Sequence, residues 1–212
     1  MSIATFVFLG IFAALFLMAV TIQIKTPRFQ PFIYWTTIVA TTTVGTTMAD
    51  FADRSLGIGY AGGSALLFAL LMASLFVWHR TQGSISVDSV SNPKSEMFYW
   101  VTIMFSQTLG TALGDWTADS AGLGYGGSAV IFTLLLAIVV AMHYWTRISR
   151  TAVFWAAFIL TRPLGAVVGD FLDKPLDKGG LAMSRYTASA ALLALMVVCI
   201  LFSKSRAAQR AH

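Results

Sequence analysis

The chain reads as an all-α, polytopic transmembrane helical bundle of seven helices, arranged as parallel two-helix repeats around a pseudo-symmetry axis along the membrane normal. Three observations predict this. Of 212 residues, 57% are hydrophobic and 11% charged, with a mean hydropathy of +0.76, whereas a soluble domain carries roughly 25% charged residues. Seven apolar runs approach the ~20 residues that a helix needs to cross ~30 Å of hydrocarbon. Finally, one pattern of tryptophan, glycine and aspartate occurs three times at the same internal spacing, in Trp35/Gly45/Asp50, Trp100/Gly110/Asp115 and Trp155/Gly165/Asp170.

The runs are residues 3–22, 32–51, 63–78, 97–116, 127–144, 152–171 and 183–202. The first follows only Met1 and Ser2, with no basic leader and no clear small-x-small cleavage pattern at its end, so it reads as a retained helix rather than a signal peptide. The third is slightly short. The second, fourth and sixth carry Thr, Ser, Gly, Gln and Asp, while stretches such as 65–78 and 129–141 are almost wholly apolar. The polar helices are therefore expected to face one another and the odd-numbered ones to face lipid. Residues 81–96, polar with Pro93, form a linker, and the basic tail 204–212 is suited to anionic headgroups. No room remains for a folded aqueous domain. The chain is one transmembrane domain made of a half repeat (1–30) and repeats at 31–96, 97–150 and 151–212, the last with the tail.

Charge sets the expected orientation. Lys25, Arg28, Arg80, Lys94, Arg147, Arg150, Lys204, Arg206 and Arg210 fall on one side of this arrangement; Arg54, Lys174, Lys178 and Arg185 fall on the other. The positive-inside rule then places the N-terminus outside and the C-terminus in the cytoplasm. Asp50, Asp53, Asp115, Asp119, Asp170, Asp173 and Asp177 collect on the outer side, with Asp88 and Glu96 inside. The net charge of +5 is thus a topology signal and not evidence of nucleic-acid binding.

Aligning the three tryptophans aligns their surroundings. Thr108, Leu109, Gly110, Thr111 and Gly114 before Asp115 match Thr43, Val44, Gly45, Thr46 and Ala49 before Asp50, and Pro163, Leu164, Gly165, Ala166 and Gly169 before Asp170. Gly57, Ile58, Gly59 and Tyr60 match Gly122, Leu123, Gly124 and Tyr125. The unit is a helix, a glycine-rich outer loop and a second helix, used several times. A two-helix unit returns the chain to its starting side, so successive units share one orientation. Gly45, Gly110 and Gly165 would permit close approach of backbones. The opening Ser2, Ile3, Ala4, Thr5 and Phe6 is comparable with Ser64, Ala65, Leu66, Leu67 and Phe68, as if the first helix were the second half of a unit. With these motifs the chain resembles a family of bacterial membrane-anchored proteins built from four tandem two-helix repeats of unknown function, each with a tryptophan. It departs from them in having three and a half units. The missing helix has three readings: a late start, a feature of the lineage, or a partner subunit that supplies it. The resemblance brings no established activity, only a metal-resistance or transport role as the usual guess.

The chemistry concentrates on the polar spans. Each aspartate lies roughly 22 Å along its helix from the tryptophan, at the outer edge of the hydrocarbon if the tryptophans are interfacial anchors. Asp50, Asp115 and Asp170, with Thr46, Thr111 and Gln107 further in, form an oxygen-rich set suited to a hard cation such as Mg²⁺, Mn²⁺, Ca²⁺ or Na⁺. Asp53, Asp119 and Asp173 add negative field at the outer mouth. The alternative for Asp50, Asp115 and Asp170 is structural: a carboxylate at a helix C-terminus opposes the macrodipole and would be held by N–H groups of the glycine loop. Arg162 is seven residues past Trp155, roughly 10 Å along the helix. There a charge costs ~2.5–3.5 kcal/mol and is a functional-site hypothesis by default; its equivalents are Thr42 and Gln107. It is read either as a coupling charge or anion dock, or as a permanent partner of an aspartate or of Gln107.

Several classes drop out. Cys199 is the single cysteine, so no disulfide or cysteine metal cluster forms within one chain. No lysine lies mid-span, which excludes a retinal Schiff base, and no hydrolase triad, HExxH or phosphate loop is present. The chain is expected not to be an enzyme and to hold no resident cofactor. The reading is a small-ion transporter or channel for a hard cation, manganese or proton-coupled, in which a metal would be substrate. The alternatives are a non-catalytic membrane scaffold, and a haem or quinone redox protein using His79 and His143. Expected partners are the bilayer, a small ion, and a second copy or partner helix completing the half repeat.

Overall fold

In the structure, a computed structural model that describes residues 3–26, 30–50, 58–87, 90 and 92–202, each apolar run is an α-helix. Seven α-helices lie among the described residues, with no strand: α1 (Ile3–Lys25), α2 (Pro31–Asp50), α3 (Gly59–Gln82), α4 (Pro93–Asp115), α5 (Gly124–Trp145), α6 (Arg150–Asp173) and α7 (Arg185–Phe202). The chain is thus an all-α membrane protein. Among the described residues, α3, α5, α6 and α7 are long and apolar enough to cross a bilayer by length and composition. α2 and α4 have the length, 20 and 23 residues, but carry the Thr, Ser and Gln that lower their hydropathy.

Local chemistry explains where the helices begin and stop. α2 and α4 open on Pro31 and Pro93, at the first helical position, where a missing N–H is harmless and the fixed φ is already helical. Asn92 caps α4, its Oδ1 accepting from the Ser95 amide at 2.9 Å, and Ser149 caps α6 by accepting from the Ala152 amide. α3 ends on Gly83, whose φ of 73° lets its N–H bond the His79 carbonyl. α3 starts at Gly59, four residues before the apolar run, and continues to Gln82, so the run that looked short is a 24-residue helix. Among the described residues of the expected glycine loops, Gly62, Gly63, Gly126 and Gly127 are helical, and Gly59, Gly122 and Gly124 take positive φ.

The described residues divide into two units, within 1–109 and within 110–204, with the boundary inside α4. In the first, α1 packs along α2, which buries Thr37, Ile38, Thr41, Val44, Gly45 and Ala49. α3 buries Gly63, Ser64, Leu67, Leu71 and Trp78 on one side and is tied to α4 by a hydroxyl pair, Ser74–Thr102, at 2.9 Å. Aromatic rings fill the end where α2 and α4 begin. Tyr34 and Tyr99 share a 2.8 Å hydroxyl–hydroxyl bond, and Trp100 lies 5.8 Å from Tyr34 and 5.4 Å from Tyr99, centroid to centroid.

In the second unit α5 packs along α6. Tyr125 and Phe132 from α5, Val167 from α6 and Ala118 from a π-helical turn at Trp116–Ser120 form its core, with Leu160, Leu164 and Phe171 packed against it. The link from α6 to α7 folds back on α6: the amides of Leu181 and Met183 bond the carbonyls of Phe171 and Leu172. α7 buries only Ala188 and Ile200; with Leu192, Leu193, Leu195 and Leu201 exposed, it presents an apolar surface suited to acyl chains. Cys199 is exposed on the same helix.

Candidate functional site

The polar helices come together through glycine, within each unit. A Cβ at Gly45 would lie 3.0 Å from both the Gln107 Cβ and the Thr108 amide nitrogen, so α2 meets α4 backbone to backbone. In the second unit, a Cβ at Gly110 would run into the Cβ of Arg162 and would lie 2.9 Å from the Arg162 carbonyl carbon and 3.1 Å from the Pro163 nitrogen. Gly114 continues that contact one turn on, against Ala166 and Val167. Small residues permit this proximity, since packing supplies the association energy between helices in lipid. Gly165 does not behave as its two counterparts do. Nothing approaches it within 4 Å, because α6 presents Arg162, Pro163, Ala166 and Val167 to α4, a different face.

Arg162 therefore emerges from a helix–helix contact at the middle of α6. Its guanidinium lies 4.1 Å from the centre of the Phe158 ring, one turn back on the same helix, a cation–π placement that partly offsets removal from water. Gln107 is buried at 6% exposure, beside fully buried Ser106 and Thr108. Thr111 and Asp115 are half-buried further along α4, and Asp50 is half-buried at the end of α2. Thr46 is on the exposed side of α2, with Thr42.

Six of the seven threonines of α2 share one habit. Thr37, Thr41, Thr42, Thr43, Thr46 and Thr47 each donate the hydroxyl proton to the carbonyl four residues earlier, so what each hydroxyl presents outward is lone pairs. Thr42, Thr46 and Asp50 follow at intervals of four, on one face. Buried and without a protein hydrogen-bond partner among the described residues are Ser64 Oγ, Ser106 Oγ, Ser128 Oγ and Trp100 Nε1. Ser64 and Ser128 hold equivalent positions in successive repeats.

The acids of the second unit have local partners. Lys174 Nζ is 3.7 Å from Asp170 Oδ1, Arg185 Nε donates to Asp173 Oδ2 at 3.2 Å, and the Tyr125 hydroxyl donates to Asp119 at 3.3 Å. Lys174, Arg185 and Tyr125 had not been singled out from the sequence. Lys174 could have been, since it lies four residues after Asp170 and such pairs face each other on a helix. Asp170 and Lys174 are about one-third exposed, which limits the pair to roughly 0–1 kcal/mol. Asp170 pairs with the Lys174 ammonium rather than with the glycine-loop amides expected to hold it. Asp53 and the basic tail lie outside the described residues. Among the described residues, no three His, Cys, Asp or Glu side chains gather into a metal-holding group.

The tryptophans correct an expectation. Trp100 and Trp155 are 2% and 3% exposed and are packed inside the protein rather than set out as interfacial anchors. Trp155 lies against Phe154 and Phe158. Trp145, outside the repeat pattern, is 85% exposed and has the anchoring position. His79 and His143 are both exposed at the ends of α3 and α5, with His143 edge-on to Tyr144.

Three stretches of the chain, residues 33–84, 98–149 and 153–207, match the family described as Repeat of Unknown Function (DUF347). The matches cover most of the chain, which therefore belongs to that family. No curated protein and no solved structure matches it.

Proposed function

We propose, from membership in this repeat family and the arrangement of the polar helices, that the protein is a bacterial inner-membrane transporter or channel for a small hard cation, with manganese or a proton-coupled ion as substrate, and not an enzyme. The observation that carries this reading is the hydroxyl ladder of α2. Six of the seven threonines on this helix direct their protons to their own backbone, so those hydroxyls offer oxygen lone pairs, the chemistry that replaces the hydration of a hard cation. In this reading Asp50, Asp115 and Asp170 are the outer oxygen donors, engaged separately, and Thr46, Thr111 and Gln107 line the way inward. Arg162, fixed at the Gly110 contact, is the coupling charge whose repulsion an entering cation must offset.

Uptake of Mn²⁺ into proteoliposomes, followed by quenching of an entrapped dye, tests it. Asp115→Asn and Arg162→Gln are expected to change the rate at least tenfold in opposite directions: loss of a ligand slows entry, and loss of a repelling charge uncouples and speeds it. If no cation crosses with the wild type, transport fails. The second reading, a non-catalytic scaffold, is favoured by the local pairing of Asp170 with Lys174 and Asp173 with Arg185. It predicts no flux, and loss of assembly when these pairs are broken.

A further inference from the structure

An open groove of about 320 Å³ runs between α3 and α4, lined by Leu70, Ala73, Ser74 and Val77 on one side and Met97, Phe98, Val101 and Phe105 on the other. We propose that it holds one acyl chain of an anionic phospholipid, whose phosphate is bound by Arg80 and Lys94.

Shape and lining argue for an apolar occupant that lies along the helices. The groove runs from Leu70 to Val77 on α3 and from Met97 to Phe105 on α4, about 12 Å at ~1.5 Å per residue, a length that part of one hydrocarbon chain can follow. The lining is apolar, and the one hydroxyl on it, Ser74, is already bonded to Thr102 and to the Leu71 carbonyl, so nothing there demands a polar ligand.

Charge argues for the headgroup. Residues three and four apart share a helix face. The α3 face that supplies Leu70, Ala73 and Val77 continues to Arg80. The α4 face that supplies Phe105, Val101 and Phe98 continues, toward the helix start, to Lys94. Both cations are exposed; the Arg80 guanidinium rests over the Phe76 ring, 5.1 Å from its centre, and would turn from it to meet a headgroup at the groove. The groove thus opens at the end of α3 and α4 between two positive charges. A lipid anion near a membrane surface gains about fivefold in binding per such charge.

The full-length protein is purified from nanodiscs of equimolar phosphatidylcholine and phosphatidylglycerol, and retained lipids are counted by native mass spectrometry. The wild type is expected to keep one phosphatidylglycerol. Arg80→Gln with Lys94→Gln lowers that preference by roughly thirtyfold, from two charges at about fivefold each. Ala73→Phe, which fills the groove from an exposed position, removes retention while both charges remain. Arg147→Gln with Arg150→Gln, exposed charges that do not line the groove, leaves retention unchanged. The proposal is overturned if this last pair matches the Arg80/Lys94 loss, since surface charge alone would then explain it. Retention indifferent to the headgroup or to Ala73→Phe overturns it too, as does a groove protected by a second copy, seen as a dimer mass that Ala73→Phe abolishes.

Discussion

Gly110 and Gly165 occupy the same place in two copies of the repeat, yet a methyl group would meet different surroundings at each. At Gly110 it would run into the Arg162 Cβ and the Arg162–Pro163 backbone, neither of which can swing away; at Gly165 it would meet nothing within 4 Å. Gly110→Ala is expected to destabilise the protein by about 1–3 kcal/mol, the usual cost of overpacking. Gly165→Ala stays within about 1 kcal/mol of the wild type, on the stabilising side, because alanine is the better helix former. Thermal unfolding of both variants in the same detergent checks this, and equal losses would show that the α4–α6 contact is misplaced. The repeat made both glycines visible in the sequence, and for Gly45 and Gly110 the inferred close approach is what the structure has. It could not show that α6 presents another face, because that depends on which neighbour Pro163 and Arg162 meet. Trp100 and Trp155 teach the same lesson. Their place at the helix ends suggested a headgroup position, but α2, α3 and α4 bring rings together around Trp100, and burial of both followed from packing that one-dimensional spacing does not contain.

At the scale of elements, all seven helices were legible because apolar runs and their interruptions are local properties. Their ends were less so. α3 gains a turn at each end, since Gly59 with positive φ starts it and the αL conformation of Gly83 stops it, and a hydropathy pattern records neither. How α2 and α4 are held together rests on a bond between residues 65 apart in sequence, Tyr34 and Tyr99, whose hydroxyls are 2.8 Å apart. Partly buried, that bond is worth about 1 kcal/mol. Tyr34→Phe and Tyr99→Phe should each cost about that much, and the double variant no more than either alone, giving a coupling energy near 1 kcal/mol in a double-mutant cycle. Additive losses would mean that the two hydroxyls have separate partners. The candidate site was legible to a similar degree. Gln107 and Arg162 were marked by being polar where a span should be apolar, and both lie at helix contacts. Lys174 was passed over as a partner because it lies beyond the apolar run 152–171, and Arg185 because its partner Asp173 is on the preceding helix, 12 residues back.

At the scale of the whole molecule, orientation in the bilayer is a consequence of charge alone, since apolar helices of this length insert equally well either way up. The connection from α5 to α6 carries Arg147 and Arg150; the connection from α6 to α7 carries Lys174 and Lys178, offset by Asp173 and Asp177. Acids contribute little to orientation, so Lys and Arg are counted over the short loops of the entire chain, and the excess lies with the first group. The α5–α6 connection is therefore expected in the cytoplasm and the α6–α7 connection outside. Cys199 is the single cysteine, so Cys199→Ser gives a background in which one introduced thiol reports its own side. Ile148→Cys and Leu176→Cys place it in the two connections, at positions 46% and 73% exposed, so access to reagent is not limited by the fold. In intact cells a membrane-impermeant maleimide should label Leu176→Cys and leave Ile148→Cys unlabelled until the membrane is permeabilised. The reverse pattern would invert the molecule, placing the aspartate ends of α2, α4 and α6 in the cytoplasm and the Arg80–Lys94 end outside. Labelling of both in intact cells would mean that α6 does not span the bilayer, which would remove Arg162 from the membrane interior and with it the cost that makes this residue a candidate for coupling.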